Sequence, residues 1–304
     1  MTELGPDPLR LPDALSDAAA EALARRHGLQ QASVRPGLVG YARELWSYRG
    51  LMWALARGEF VTAHRDNYLG LLWSVLTPLL LGASYYLVFG LLLGTSRGIE
   101  HFITFLTSGL FTYSLFAVSL TSGSKALLNK RGMMRSLQFP RVMLPIVTVL
   151  AAFVGQLPAF GVLLVLAFWE QGWTLPWTVL LLPVALLIVT TMGLGLAMLT
   201  SRLVHAVRDL ANLMPLVVRL LRYVSGVFFS VELQLERIGD APAWVAATLT
   251  YQPAAVSLTM VRETVMTTEE LDPTTWLVSV GWAVLFLVVG FVVFWRGEGS
   301  YGRA

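Results

Sequence analysis

Two arginines stand in a run of sequence that is otherwise free of charge. Arg219 and Arg222 are the only ionisable side chains of strong charge between residues 213 and 231. A guanidinium is planar, permanently charged and shaped to grip a phosphate or carboxylate through paired hydrogen bonds. Three residues apart on a helix, the two side chains are neighbours on one face. A second concentration of charge is cationic and contains no acid: Lys125, Lys130, Arg131, Arg135 and Arg141 lie in KALLNKRGMMRSLQFPRVMLP, residues 125–145. A short basic, amphipathic segment of this kind suits docking onto a soluble partner. Aromatic rings gather at Tyr85 and Tyr86 and again at Tyr223, Phe228 and Phe229. Such rings either fill contacts between helices or offer flat faces for stacking. The chemistry on offer is the binding of anions and ring faces.

The residues needed for bond making are missing. There is no HExxH pair for a catalytic zinc, no Asp-x-Asp pair for a metal-bound sugar nucleotide, and no Gly-Lys dipeptide, so no GxxxxGK[ST] phosphate loop. The chain has no cysteine, which excludes disulfides and thiolate metal sites. Its long apolar runs hold no carboxylate and none of the four histidines, so a proton relay at membrane depth is disfavoured. No cofactor is expected in this chain, and any active transport would draw its energy from a separate subunit.

The elements that must carry these groups follow from composition. The 304 residues are 56% apolar and only 13% charged, where a soluble domain would carry about a quarter. The mean hydropathy is +0.65. The formal charge of +3 is small, and the cations sit beside apolar runs. That placement fits membrane lipids rather than nucleic acid. Six runs are long enough to cross a bilayer: 68–94, 102–124, 142–168, 177–200, 213–231 and 274–295. All but the fifth lack Asp, Glu, Lys and Arg. Trp169, Trp173 and Trp177 mark one water interface, and Trp276 and Trp295 bracket the last run. Gly193 and Ala197 make a small face suited to close helix contact.

Around this six-span domain, residues 68–295, lie four accessory segments. Residues 1–37 read as a tail without the apolar core of a signal peptide, with one short helix over 13–27. Residues 38–67 read as an amphipathic helix in the headgroup layer. Tyr41, Leu45, Tyr48, Met52 and Leu55 form its apolar stripe, flanked by Trp46 and Trp53. The segment 232–273 holds seven acids, and Pro242 and Pro253 are placed to start two short helices dipping into the outer leaflet. Residues 296–304 form a short C-terminal tail. Counting Lys and Arg beside the runs gives 17 on the side of the termini and 3 on the other. The positive-inside rule then places both termini, and the basic segment 125–141, in the cytoplasm.

On this topology a family resemblance emerges. Arg65, Tyr68, Leu69, Gly70, Trp73 and Pro78 (RDNYLGLLWSVLTP) resemble the entry to the first span of type-2 ABC exporter permeases that move lipid-linked polysaccharides, such as O-antigen, teichoic acid and galactan exporters. Asn129 with FPRVMLP at 139–145 resembles that family's segment between spans two and three. Arg208–Asp209 resembles its entry to span five, and Ser225, Val227 and Phe228 its exit. Gly226 departs from the family's frequent Pro, and Gln252–Pro253 from its frequent Asn-Pro. The resemblance covers about 40–295.

It implies an all-α homodimer in the plasma (inner) membrane of a bacterium, with two ATPase subunits below it that bind ATP and Mg. The segment between spans two and three would be a coupling helix, with Lys130, Arg131, Met134 and Arg135 touching the ATPase. Arg208 and Asp209 would form a second contact. The two short helices between spans five and six would form an outer gate. Arg219 and Arg222 either snorkel to headgroups or line the channel mouth, where they would bind the diphosphate of a polyprenyl-linked glycan. Tyr85, Tyr86, Tyr223, Phe228 and Phe229 would give sugars a sliding surface. Two rivals stay open: a drug- or lipid-exporting permease of the same class, and a membrane-embedded transferase acting on lipid-linked sugars.

Overall fold

The computed structural model describes residues 26, 37–65, 72–94, 98–136, 139–239 and 242–298. Apart from Arg26 and Gly37, the expected tail 1–37 with its helix over 13–27 lies outside them. So do Tyr68 to Gly70 and the tail beyond residue 298.

Among the described residues the regular structure is helical throughout. Five helical segments are long and apolar enough to cross a membrane. The first is α3, Trp73–Tyr85, which continues into a π-helix over Tyr86–Leu92. The others are α4, Phe102–Thr121; α7, Met143–Glu170; α8, Leu182–Ala206, entered through a 3-10 turn at Trp177–Leu181; and α13, Pro273–Gly297. Trp169, Trp173 and Trp177 are all exposed between α7 and α8, as residues at a water interface would be.

The expected fifth span, 213–231, is not a single long helix. It divides into α9, Leu210–Val224, a coil from Ser225 to Ser230, and α10, Val231–Ile238. At 15 residues, α9 is about 22 Å long, short of a hydrocarbon core of about 30 Å. Gly226 ends it, with φ +76, a left-handed conformation that glycine adopts without steric cost. A Cβ there would also sit 2.8 Å from Val231 Cγ2.

The helix α4 is the axle of the bundle. Its apolar side chains fill the main core together with residues of α7, α8 and the later helix Pro253–Val265, and most of α4 is buried. Its hydroxyls are satisfied locally: Thr107 Oγ1 donates to the Ile103 carbonyl at 2.7 Å and Ser108 Oγ to that of Phe105 at 2.9 Å. The N-terminus of α4 begins after His101, whose side chain makes no cap. Glu170, at the end of α7, supplies one instead, accepting from Ile103 N at 2.9 Å, Thr104 N at 2.7 Å and Thr104 Oγ1 at 2.7 Å. A carboxylate there meets free N–H groups and the positive end of the helix dipole.

Small residues bring α8 against both neighbours. A Cβ on Gly193 would lie 2.4 Å from Ser119 Oγ of α4, and one on Gly123 would lie 2.6 Å from Ala197 Cβ. The small face expected at Gly193 and Ala197 thus packs on α4. On the other side, Gly195 of α8 meets α13 backbone to backbone, at Phe286 and Gly290.

Between α10 and α13 lie α11, Ala243–Tyr251, and α12, Pro253–Val265. Both begin at the prolines that the sequence marks, since Pro242 is the N-cap residue of α11 and Pro253 opens α12. The additional short helix α10 was not expected. α12 runs antiparallel to α13. Glu263 meets Trp276, Ser279 Oγ reaches the Val256 carbonyl at 3.5 Å, and Trp282 Nε1 donates to the Tyr251 carbonyl at 2.8 Å. The tip of the α11–α12 hairpin therefore lies about 13 Å along α13 from its start.

The amphipathic segment forms two helices, α1, Leu38–Ser47, and α2, Arg49–Arg65, separated at Tyr48. The expected stripe does share one face, but that face packs on protein. Met52, Leu45, Tyr48 and Leu55 pack with Met143 and Val147 at the start of α7, and Tyr41 is buried beside Val142 and Phe294. Trp46 and Trp53 are left exposed. Two short helices, α5 (Ala126–Asn129) and α6 (Arg131–Ser136), make up the basic segment.

Candidate functional site: an arginine and aromatic patch above a basic face

The break after α9 brings four of the expected substrate-path residues together. Phe228, in the coil, is 3% exposed and lies at the centre. It stacks on Phe89 of the π-helix, with centroids 4.2 Å apart and planes 4° from parallel. Tyr85 lies 5.0 Å away and Tyr223 5.9 Å away. A π-helix carries one more residue per turn than an α-helix, and such segments often occur at functional sites. Here it sets Phe89 beside Tyr85, with ring centroids 6.0 Å apart.

Arg222 reaches this patch from α9. Its Nη1 donates to Tyr85 Oη at 3.1 Å, and its guanidinium carbon lies 5.3 Å from the centroid of the Tyr113 ring. Tyr113 in turn donates its hydroxyl to the Val218 carbonyl of α9. The Arg222 Nε is buried and has no hydrogen-bond partner among the described residues. A buried donor left unpaired costs free energy comparable to a lost hydrogen bond, which a ligand acceptor would restore.

The remaining expected residues fall elsewhere. Arg219, one turn before Arg222 on α9, is exposed rather than set in this patch. Tyr86 points to the other side of its helix, 6.3 Å from Phe102. Phe229 is half-buried and packs on the main core. Phe89 and Tyr113 belong to the patch and were not foreseen. Phe89 follows Tyr85 by one turn, a spacing visible in the sequence, whereas the place of Tyr113 depends on the α4–α9 contact.

The coil that carries Phe228 is held from outside the patch. Gln252 Nε2, at the hairpin tip, donates to the Val224 carbonyl at 2.9 Å. Arg262 Nη2, from α12, donates to the Gly226 carbonyl at 2.9 Å. In sequence, Arg262 is one of two cations, with Arg237, among the seven acids of 232–273.

At the basic face, two expected contact residues turn inward. Lys130 forms an ion pair with Glu59 of α2 and donates to Thr148 Oγ1 at 3.3 Å. Met134 packs in the cluster of Tyr41, Leu127, Val142 and Phe294. Arg131 is half-buried, and the side chain of Arg135 is outside the described part. Arg208 and Asp209 are exposed in the turn between α8 and α9.

Glu298 joins three segments there. It accepts from Tyr41 Oη at 2.6 Å and from Arg141 N at 3.1 Å, and its backbone carbonyl accepts from Arg141 Nη1 at 3.1 Å. Burial pushes its carboxyl above the usual range, and the Tyr41 hydrogen bond opposes that shift.

Comparison with known proteins places this arrangement. The family model described as "ABC-2 type transporter" matches residues 50–238. The chain belongs to the ABC-2 type transporter family. The matched part of this permease runs from α2 to the end of α10 and so includes the basic segment, α9 and the Phe228 coil. It is 31% identical over 195 residues to the O-antigen export system permease protein RfbA of Myxococcus xanthus, covering 63% of this chain and 73% of that one. It is 25% identical over 219 residues to a protein of the same name from Klebsiella pneumoniae, covering 71% and 80%. As an ABC-2 permease it is a multi-pass membrane component of a transporter.

Proposed function

We propose that this permease forms the membrane path of an exporter for a lipid-linked cell-surface polysaccharide, of the O-antigen, galactan or teichoic acid type. Two copies form the path, and two separate ATPase subunits bind ATP and Mg on the cytoplasmic side. This chain makes and breaks no bond. α9, the coil and the α11–α12 hairpin together complete a sixth crossing, which puts both termini in the cytoplasm. The hairpin is the outer gate.

The observation that carries this reading is the Arg222 patch. One guanidinium with an unpaired buried Nε stands at the edge of four aromatic rings. A polyprenyl-diphosphate glycan has matching parts: a diphosphate for the guanidinium and apolar sugar faces for the rings. The relatives named as O-antigen export permeases point to the same cargo class. On the cytoplasmic face, Arg131, Arg208 and Asp209 are the side chains best placed to meet an ATPase, with Lys130 and Met134 bracing the segment from behind.

The test is to deplete the permease and to replace Arg222 by Gln, then follow the lipid-linked glycan on each side of the membrane. Undecorated glycan accumulates inside in both cases, with Arg222→Gln retaining normal amounts of membrane protein. Absence of that accumulation would refute the cargo. Turnover of a lipid-linked sugar by the purified chain without an ATPase would refute the transporter reading altogether.

A further inference from the structure

Gly226 and Gln252, two positions at which the sequence departs from the pattern it resembles, take part in separate hydrogen bonds around the end of α9. α9 stops at Val224, which leaves carbonyls at its C-terminal end without helical partners. Two side chains of the α11–α12 hairpin serve this end. Gln252 takes the Val224 carbonyl. Arg262 takes the Gly226 carbonyl at 2.9 Å and the Val227 carbonyl at 3.4 Å. The same guanidinium also donates to the Phe105 carbonyl of α4 at 3.4 Å and lies over the Phe105 ring, its carbon 3.5 Å from the centroid.

The room for this is built into α4. A Cβ on Gly109 would sit 2.8 Å from Arg262 Nη2 and 3.2 Å from the Val227 carbonyl oxygen. A glycine here lets the cation and the coil approach the α4 backbone together. Arg262 is 6% exposed and Val227 fully buried, so the contact is shielded from water, where hydrogen bonds from a charged donor are strongest. The residue after Val227 is Phe228, the centre of the aromatic patch.

We infer that Arg262 is a positioning residue for transport. By holding the carbonyls of Gly226 and Val227 it seats Phe228 on Phe89 and keeps the outward end of the patch closed. Gln252 assists by fixing the end of α9. Opening the path then requires the coil to leave the guanidinium, so the latch sets how readily Phe228 swings away. The inference rests on the export reading only for the word transport; the latch itself is a property of this chain.

The chain has no cysteine of its own, which permits single-cysteine labelling. Val227→Cys and Val265→Cys both replace fully buried valines, the first on the coil and the second at the outer end of α12. Each is placed in the full-length permease in lipid nanodiscs and treated with a water-soluble maleimide, with and without Arg262→Met. Arg262→Met raises the labelling rate of Val227→Cys about tenfold, the least that loss of a charge-assisted hydrogen bond implies, and leaves Val265→Cys unchanged. Arg262→Lys, which keeps the charge without the fork, gives an intermediate rate.

An unchanged rate at Val227→Cys overturns the inference. An equal rise at both cysteines also overturns it, because that is general loosening of α12. If Arg262→Met fails to fold, Gln252→Met replaces it. A severalfold rise confined to Val227→Cys supports the latch, and no rise overturns it. Labelling needs neither cargo nor ATPase, so a failure of the export reading would leave this result standing, and the reverse.

Discussion

The crossing of α8 and α13 gives the sharpest test of the packing. A Cβ on Gly195 would lie 2.1 Å from the carbonyl carbon of Phe286 and 2.3 Å from its oxygen. Ordinary carbon contacts are about 3.5–4.0 Å, so the helices must part by roughly 1.5 Å. The obstructing atoms are backbone and cannot rotate aside as a side chain could. Overpacking typically costs about 1–3 kcal/mol, and the upper end is expected here. At about 2–4 °C per kcal/mol for a domain of this size, Gly195→Ala lowers the melting midpoint of the purified permease by about 6–10 °C. Gly290→Ala collides with the Gly195 carbonyl oxygen at 2.2 Å and behaves similarly. The double variant loses less than the sum, because a crossing already forced apart has room for the second methyl. Gly281, on the same α13, has open space where its Cβ would be. Gly281→Ala is therefore neutral or raises the midpoint, since alanine is the better helix former by about 1 kcal/mol. A Gly195→Ala midpoint within a degree or two of the parent, or strict additivity, would refute the backbone contact.

Two further outcomes follow from carboxylates held by hydrogen bonds. Glu170→Gln weakens the charge-assisted cap on α4 and lowers thermal stability by about 1–2 kcal/mol, with Glu170→Ala lower still; equal midpoints for all three proteins would show that the cap is idle. Glu263, at the outer end of α12, has its carboxyl pushed up to about 7 by burial, with hydrogen bonds from Asp272 N and Trp276 Nε1 opposing the shift and the Asp272 charge adding to it. A folded-state value above the unfolded one means that the folded protein holds its proton more tightly. The stability this gives is present at low pH and is lost as pH rises through about 7. The melting midpoint of the parent should therefore fall between pH 5 and pH 8 more steeply than that of Glu263→Gln, which keeps an acceptor for Trp276. Parallel profiles would refute this.

Five of the six expected spans were legible because hydrocarbon imposes a length and a composition that few other environments do. Pro242 and Pro253 were legible for a local reason: each presets φ and lacks an N–H, which suits the start of a helix. The end of α9 was not, although its parts were visible. Arg219, Arg222 and Gly226 read as features inside a span, and only the seating of Phe228 on Phe89 shows that the helix stops there. Lys130 looked like a surface cation because its partner, Glu59, lies 71 residues away in sequence. The close approach of Gly195 and Gly290 was hidden in the same way. The sequence motif marked Gly193 and Ala197, which face α4, and gave no sign that the opposite side of α8 meets a second backbone. Arg262 escaped because one of two cations among seven acids reads as a solvated loop charge.

The two ends of the molecule are built on different principles, and the difference bears on how motion would pass through it. At the end that carries the basic segment, the Glu59–Lys130 pair ties α2 to that segment, and Glu298 ties Tyr41 of α1 to Arg141 and to the end of α13. These contacts bind the amphipathic helices, α5 and α6, the start of α7 and the end of α13 into one braced layer. In the proposed assembly, an ATPase pressing on Arg131 or on the α8–α9 turn would move that layer as a unit, because local yielding would break an ion pair or expose a half-buried carboxyl. At the opposite end, Phe228 is seated through hydrogen bonds to backbone carbonyls. Its coil is held by the guanidinium of Arg262 and the amide of Gln252, both borne on a short hairpin. On the proposed export reading, displacement delivered at the braced end would be taken up at the Ser225–Ser230 coil, which these hydrogen bonds hold. That is the place where an aromatic lid over a sugar path would have to yield.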